Sequence, residues 1–307
     1  MKHSRRARRS RTQKKQLVPM LHGIALLVVT LLSIFLIFLK QPSKQQNDSK
    51  ASTVETTTSS SVMTSESSEV QTEIIWEQQT EPIKLPILMY HAIHVMAPEE
   101  EANANLIVDP TTFESHLKAL QDAGYYTLSP EEAYKVLTEN VLPAGKKVVW
   151  LTFDDSLWDF YSYAYPLLKQ YQMKATNNVI TGFTENGIEG YLTLNQMKEM
   201  QANGMSFQGH TVNHPDLEVS STDDQMSELS QSKNYLDSQL NQETIAVAYP
   251  SGSYSQDTLN ISEQAGYKLG LTTNNGLASL ADGLLSLNRV RILPTTTGDG
   301  LISEISH

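Results

Sequence analysis

From about residue 82 onward, short apolar runs alternate with segments of helical apolar spacing, and that alternation admits few folds. Residues 86–90 read as a strand. Residues 112–123 carry Phe113, Leu117 and Leu120 at helical spacing before Gly124 stops the segment. Ser129-Pro130-Glu131-Glu132 is a helix start, with a capping serine, a proline at the first helical position and acids in the first turn. The run 147–153 is a second strand. Further strands are expected at 174–180, 205–208, 244–249, 267–272 and 288–293, with helices at 193–202, 222–240 and 255–265. Repeated strand–helix units imply an α/β fold with a parallel sheet, open or closed into a barrel, whose chemistry gathers at the C-terminal strand ends. There is no internal repeat, and Ser251-Gly252-Ser253 lacks the spacing of a phosphate-binding loop.

The first 81 residues follow another logic. Residues 1–16 hold eight Lys/Arg and no acid, so 15 of the 23 bases remain against 34 acids and the rest of the chain carries about −19. The basic tract suits a nucleic-acid arm poorly, because residues 17–39 follow at once as 23 residues without Lys, Arg, Asp or Glu. About 20 apolar residues in a helix span a bilayer, and the bases are then a positive-inside signal. A cleaved signal peptide is the rival, but Lys40-Gln41-Pro42 offers no small-x-small site. The expectation is a basic cytoplasmic tail (1–16) and an uncleaved single-pass anchor (17–39). A disordered Ser/Thr-rich stalk (40–81) and one catalytic domain (82–307) outside the cell membrane complete it. No nucleic-acid partner is expected.

There are no cysteines, which excludes disulfides, thiolate metal sites and cysteine nucleophiles; any metal is held by nitrogen and oxygen. The strand 147–153 delivers Asp154 and Asp155 at its end. Neighbours on an extended strand point oppositely, so one carboxylate can bind metal while the other faces the attacking water. Gly209, expected to permit an unusual backbone, precedes His210-Thr211-Val212-Asn213-His214. A spacing of four puts both imidazoles on one face if the loop makes a helical turn. Two histidines and a carboxylate are a common ligand set for a catalytic zinc-type site with an open position.

Thr152-Phe153-Asp154-Asp155 and the His210–His214 pentapeptide, about 55 residues apart, resemble the first two motifs of the polysaccharide deacetylase family, the NodB homology domain of carbohydrate esterase family 4. The resemblance spans residues 82–307. It implies a distorted (β/α) barrel and hydrolysis of acetamido groups on a glycan with a divalent metal, usually zinc. Asp154 then matches the general base, Asp155, His210 and His214 the metal ligands, and Thr211 a brace of the histidine loop. Ala248-Tyr249-Pro250-Ser251-Gly252 resembles the third motif, which gives the Ser251 backbone N–H the oxyanion.

Three departures stand out. The family's arginine is missing at Ala248, leaving Arg289 or Arg291 as substitutes. Ser156 stands where glycine usually follows the aspartates, and Gln208 where an acid is frequent. The C-terminal leucine-x-histidine motif is absent, but Leu88-Met89-Tyr90-His91 resembles it moved to the N-terminus, as in the permuted branch that includes poly-N-acetylglucosamine deacetylases. His91 is thus the expected general acid, with His94 and His307, the latter in what reads as a frayed C-terminal tail, as competitors. Tyr90, Trp158, Tyr161 and Tyr254 are candidate sugar-stacking faces. The implied substrate is N-acetylglucosamine of a cell-envelope glycan, peptidoglycan or poly-N-acetylglucosamine. The alternatives are an O-acetyl esterase on a glycan and an inactive glycan-binding surface protein.

Overall fold

The computed structural model of the protein describes residues 74–306. The expected tail, the anchor at 17–39, most of the stalk and His307 lie outside the described residues. Among those described, no helix is long and apolar enough to cross a membrane.

Eight parallel strands make the central sheet: β1 Ile87–Tyr90, β2 Tyr125–Thr127, β3 Lys147–Phe153, β4 Thr176–Val179, β5 Ser206–Gly209, β6 Ala246–Ala248, β7 Leu269–Asn275 and β8 Leu287–Arg291. The order is β1-β8-β7-β6-β5-β4-β3, and β3 returns to β1, so seven strands close a barrel. The closure is visible at Leu88, which is level with Val290 on one side and Leu151 on the other. Strand β2 adds to the first half of β3, with Tyr125 level with Lys147.

Helices α1 Pro110–Asp122, α2 Pro130–Glu139, α3 Tyr165–Gln170, α4 Thr181–Glu185, α5 Leu194–Gln201, α6 Thr222–Leu240, α7 Gln256–Gln264 and α8 Gly298–Ile305 connect or follow the strands. The capping box expected at α2 is present: Ser129 Oγ accepts the Glu132 N–H at 3.2 Å, and Glu132 Oε2 accepts the Ser129 N–H at 2.7 Å. In α1, Phe113, His116, Leu117 and Leu120 are buried, one stripe at helical spacing.

Two expectations are corrected at the ends of the domain. The folded part reaches back before residue 82, because Trp76–Gln78 pairs antiparallel with Val141–Pro143. Asn140, left-handed at φ 54°, ties this segment down by accepting from the Ile83 N–H and donating to the Gln79 and Glu81 carbonyls. The tail that looked frayed is α8, whose Leu301 and Ile305 are buried. It sits so close to α1 that a Cβ on Gly298 would stand 2.9 Å from the Ser115 carbonyl oxygen.

Alternation along β3 sorts the core. Val148 and Trp150 join one apolar cluster with Ile87, Ala246, Ala248, Leu269, Leu271 and Leu287, whereas Val149, Leu151 and Phe153 join the cluster that includes Phe113, Leu168, Met197 and Phe207. The first cluster fills the barrel. Toward the C-terminal strand ends the buried residues turn polar: Thr152, Asp154, Thr176, Asn178, Gln208 and Arg289. That change from apolar to polar is where the site begins.

Candidate active site

Asp154 ends the extended run of β3, with its N–H donating to the Tyr90 carbonyl at 3.0 Å. At Asp155 the backbone turns left-handed (φ 76°), and Ser156 stays there (φ 54°). The two carboxylates therefore diverge through this turn, not through strand alternation alone. Asp154 is 3% exposed inside the barrel, and the Asp155 side chain is 25% exposed at its mouth. Ser156 occupies a conformation that favours glycine, and its buried hydroxyl accepts the Ile180 N–H at 3.3 Å.

The histidine loop converges by other means than a helical turn. Thr211 (φ 63°) and His214 (φ 59°) are left-handed, and Thr211 Oγ1 accepts the His214 N–H at 2.9 Å. Glu228 of α6 accepts the N–H groups of Val212 and Asn213, each at 2.8 Å, and the Asn213 side-chain amide at 2.7 Å. Gly209 is not left-handed. It is needed for close approach, because a Cβ there would stand 2.6 Å from the Tyr267 hydroxyl. Gln208 Oε1 accepts the N–H groups of Ile245 and Ala246. Residues held in sparsely populated backbone regions cluster at functional sites, and Asp155, Ser156, Thr211, His214 and Ser251 all lie in the motif loops.

The outcome is a donor set. One ligand atom from each of Asp155, His210 and His214 lies within 4.8 Å of the others. His210 donates from Nδ1 to the Ala248 carbonyl at 2.7 Å, which leaves Nε2 for the site, 3.3 Å from Asp155 Oδ1. His214 Nε2 is 3.6 Å from the same oxygen. Two nitrogens and one carboxylate converging, with the His210 tautomer fixed by the Ala248 carbonyl, suit a zinc-like divalent ion.

Arg289 on β8 is fully buried and grips Asp154, while its Nε donates to the Thr272 carbonyl at 2.7 Å. Of the two arginines considered, Arg289 reaches the carboxylate. Arg291, two residues on, is exposed beyond the end of the buried run. Asn178 on β4 also donates to Asp154, and nothing in the strand's sequence pattern singled it out. Burial opposes the Asp154 charge, but the guanidinium outweighs it and holds the carboxyl well below the usual carboxylate range.

His91 follows β1 and lines a cavity of about 600 Å³ together with Asp155, His214, Trp158, Tyr191 and Asn213. Burial depresses its imidazole below the ordinary histidine value; Asp154 and Asp155 pull it up, and Arg289 and His210 push it down. His94 is committed elsewhere, with Nδ1 2.6 Å from Asp159 Oδ2 and Nε2 3.1 Å from both Glu100 oxygens. Ser251 lies in the turn after β6 (φ 55°) and is exposed. Among the aromatic candidates, Trp158, 43% exposed, lines the cavity. Tyr90 is core, its hydroxyl 3.1 Å from His116 Nδ1; Tyr161 donates to Glu199, and Tyr254 stacks on Tyr249.

A parallel barrel with a two-histidine, one-carboxylate donor set at its mouth, and a second carboxylate buried beside it, defines a hydrolase-type site. Residues 141–270 match the family model described as polysaccharide deacetylase. YxkH of Bacillus subtilis, a protein named for that family, is 41% identical over 223 residues, covering 73% of this chain and 76% of that one. The chain belongs to the polysaccharide deacetylase family and is an enzyme that removes acetyl groups from a polysaccharide. The poly-β-1,6-N-acetyl-D-glucosamine N-deacetylase of Staphylococcus aureus is 32% identical over 184 residues, 55% of this chain and 61% of that enzyme. The solved structure of the Streptococcus pyogenes deacetylase PplD in complex with acetate is 62% identical, with a TM-score of 0.72. It covers 74% of this chain and 100% of that one.

Proposed function

We propose that the protein hydrolyses N-acetyl groups from N-acetylglucosamine units of a cell-envelope glycan, peptidoglycan or poly-N-acetylglucosamine, with a divalent metal, zinc by preference. The observation that carries this reading is the convergence of Asp155, His210 and His214 beside buried Asp154, with Asp155 and His214 lining one cavity together with His91. The staphylococcal relative's name supports the choice of glycan.

Asp155, His210 Nε2 and His214 Nε2 hold the metal, which when bound supplies Lewis-acid polarisation of the acetamide carbonyl and of water. Asp154 accepts the proton of the attacking water as the new C–O bond forms. Arg289 keeps that carboxylate ionised and fixes its plane. The Ser251 N–H donates to the developing oxyanion. His91 delivers a proton to the departing nitrogen as the C–N bond breaks, leaving acetate and a free glucosamine amine.

The uncharged stretch at 17–39 after a basic tail supports placement as a single-pass membrane protein with its N-terminus in the cytoplasm and the barrel outside. The test of function is acetate release from N-acetylglucosamine oligomers and from peptidoglycan, with and without chelator and added zinc. Chelator-sensitive acetate, restored by zinc, is expected; zinc binding without acetate from any N-acetylated polymer overturns the reading.

A further inference from the structure

Asn178 lies beside the reacting carboxylate by register. Thr152 of β3 is level with Thr176 of β4 and Phe153 with Asn177, so the next step along both strands sets Asp154 beside Asn178. The side chain is fully buried, and its Nδ2 donates to Asp154 Oδ1 at 2.7 Å.

The two oxygens of Asp154 are served unequally. Oδ1 accepts from Arg289 Nη1 at 2.9 Å and from Asn178, whereas Oδ2 accepts from Arg289 Nη2 at 2.7 Å and from no other donor among the described residues. A carboxylate oxygen has two lone-pair sites, so Oδ1 is filled and Oδ2 keeps one open. We infer that Asn178 is a positioning residue for deacetylation: by occupying Oδ1 it makes Oδ2 the atom that takes the proton from the attacking water. This rests on Asp154 being the base.

Two features distinguish this task from packing. Arg289 already neutralises Asp154, so Asn178 is not required to compensate a buried charge. The carbonyl oxygen of Asn178 has no donor among the described residues, so the side chain is placed for what it donates. Leucine keeps the branched shape at a larger volume and has no polar atom to bury, so Asn178→Leu removes the donor, and the smaller Asn178→Ser controls for the change in packing. Serine keeps a donor at shorter reach.

The experiment measures kcat and KM for acetate release by the full chain, alongside bound zinc and thermal unfolding, for the unaltered protein, Asn178→Leu and Asn178→Ser. Asn178→Leu is expected to lower kcat roughly 10- to 100-fold with KM and zinc unchanged, a loss out of proportion to any fall in Tm. Asn178→Ser is expected to fall between the two. A kcat within about twofold of the unaltered protein in Asn178→Leu overturns the inference while the deacetylase reading stands. So does a loss of kcat that tracks a loss of zinc or of Tm, with serine no better than leucine. No acetate from the unaltered protein overturns the deacetylase reading, and the inference with it.

Discussion

Arg289 holds both oxygens of Asp154, Nη1 to Oδ1 at 2.9 Å and Nη2 to Oδ2 at 2.7 Å, across 135 residues of sequence. Both side chains are buried, at 0% and 3% exposure, so the pair is charge-balanced inside the barrel and neither member is dispensable alone.

Arg289→Met therefore leaves Asp154 as an uncompensated buried charge. A loss of about 3–5 kcal/mol is expected, read as a fall in thermal or urea stability together with loss of acetate release. Arg289→Lys keeps the charge but not the two-pronged grip or the bond to the Thr272 carbonyl, so it should recover stability better than activity. Equal stability of Arg289→Met and the unaltered protein would show that Asp154 is neutral in the folded state.

Base and metal holder are separable by metal content. Asp154→Asn should lower turnover by about 10²- to 10⁴-fold with zinc retained. His214→Ala should lose zinc and activity together, because it removes one of three ligand atoms. Stoichiometric zinc in His214→Ala takes that residue out of the ligand set, and near-normal turnover in Asp154→Asn takes Asp154 out of the base role.

His91→Ala is expected to lower the rate by about 10²- to 10⁴-fold with zinc unchanged, as for loss of a general acid. His94 has both ring nitrogens engaged by Asp159 and Glu100, so His94→Gln should leave far more activity than His91→Ala. The reverse ranking would move the acid to His94.

What could be read in the amino-acid order was local. The capping box at Ser129 and Glu132, the bounds of Thr222–Leu240 and the apolar run ending at Asp154 follow from propensity and spacing within a few residues. What could not be read depends on partners far along the chain. Arg289 and Arg291 look alike in sequence, and strand pairing and barrel closure decide which one meets Asp154. Asn178 sits in a run, Thr176-Asn177-Asn178, whose pattern says nothing of which face is functional. The left-handed backbone at Thr211 falls on a β-branched residue that disfavours it, and at Thr211 and His214 alike it is held by the bonds that Thr211 Oγ1 and Glu228 accept. The helix Gly298–Ile305 carries Leu301 and Ile305 at helical spacing, but it is one short stretch opened by Gly298 and Gly300, and its seat against α1 is what holds it in place.

Gly209 tests the close-approach explanation. A Cβ at that position would meet the Tyr267 hydroxyl at 2.6 Å, with ring carbons at 3.2 Å, so Gly209→Ala should cost about 1–3 kcal/mol as overpacking. Adding Tyr267→Phe removes the nearest atom, though it also deprives the Leu229 carbonyl of its donor. The double variant should therefore be more stable than the sum of the two single losses, a coupling read from a double-mutant cycle of urea unfolding. Strict additivity would show that Gly209 is not there for Tyr267.

His94 makes part of the fold's stability depend on pH. Burial works against its charge, but hydrogen bonds to Asp159 and Glu100, reinforced by their charges, raise its proton affinity above the ordinary value, and the ring stacks on Trp158 with centroids 6.1 Å apart. A histidine raised on folding contributes stability that is fully present below the unfolded value of 6.5 and is lost as pH rises through the higher folded value. His94 bridges Asp159, next to Trp158 in the cavity wall, to Glu100 in the segment Pro98–Leu106, so the loss should loosen that segment first. Thermal unfolding measured from mildly acid to alkaline pH should show the unaltered protein losing its advantage over His94→Gln as pH climbs. Two curves that keep a constant separation across that range would mean that His94 binds its proton equally in the folded and unfolded chains, so that its bonds to the two carboxylates carry no linked proton.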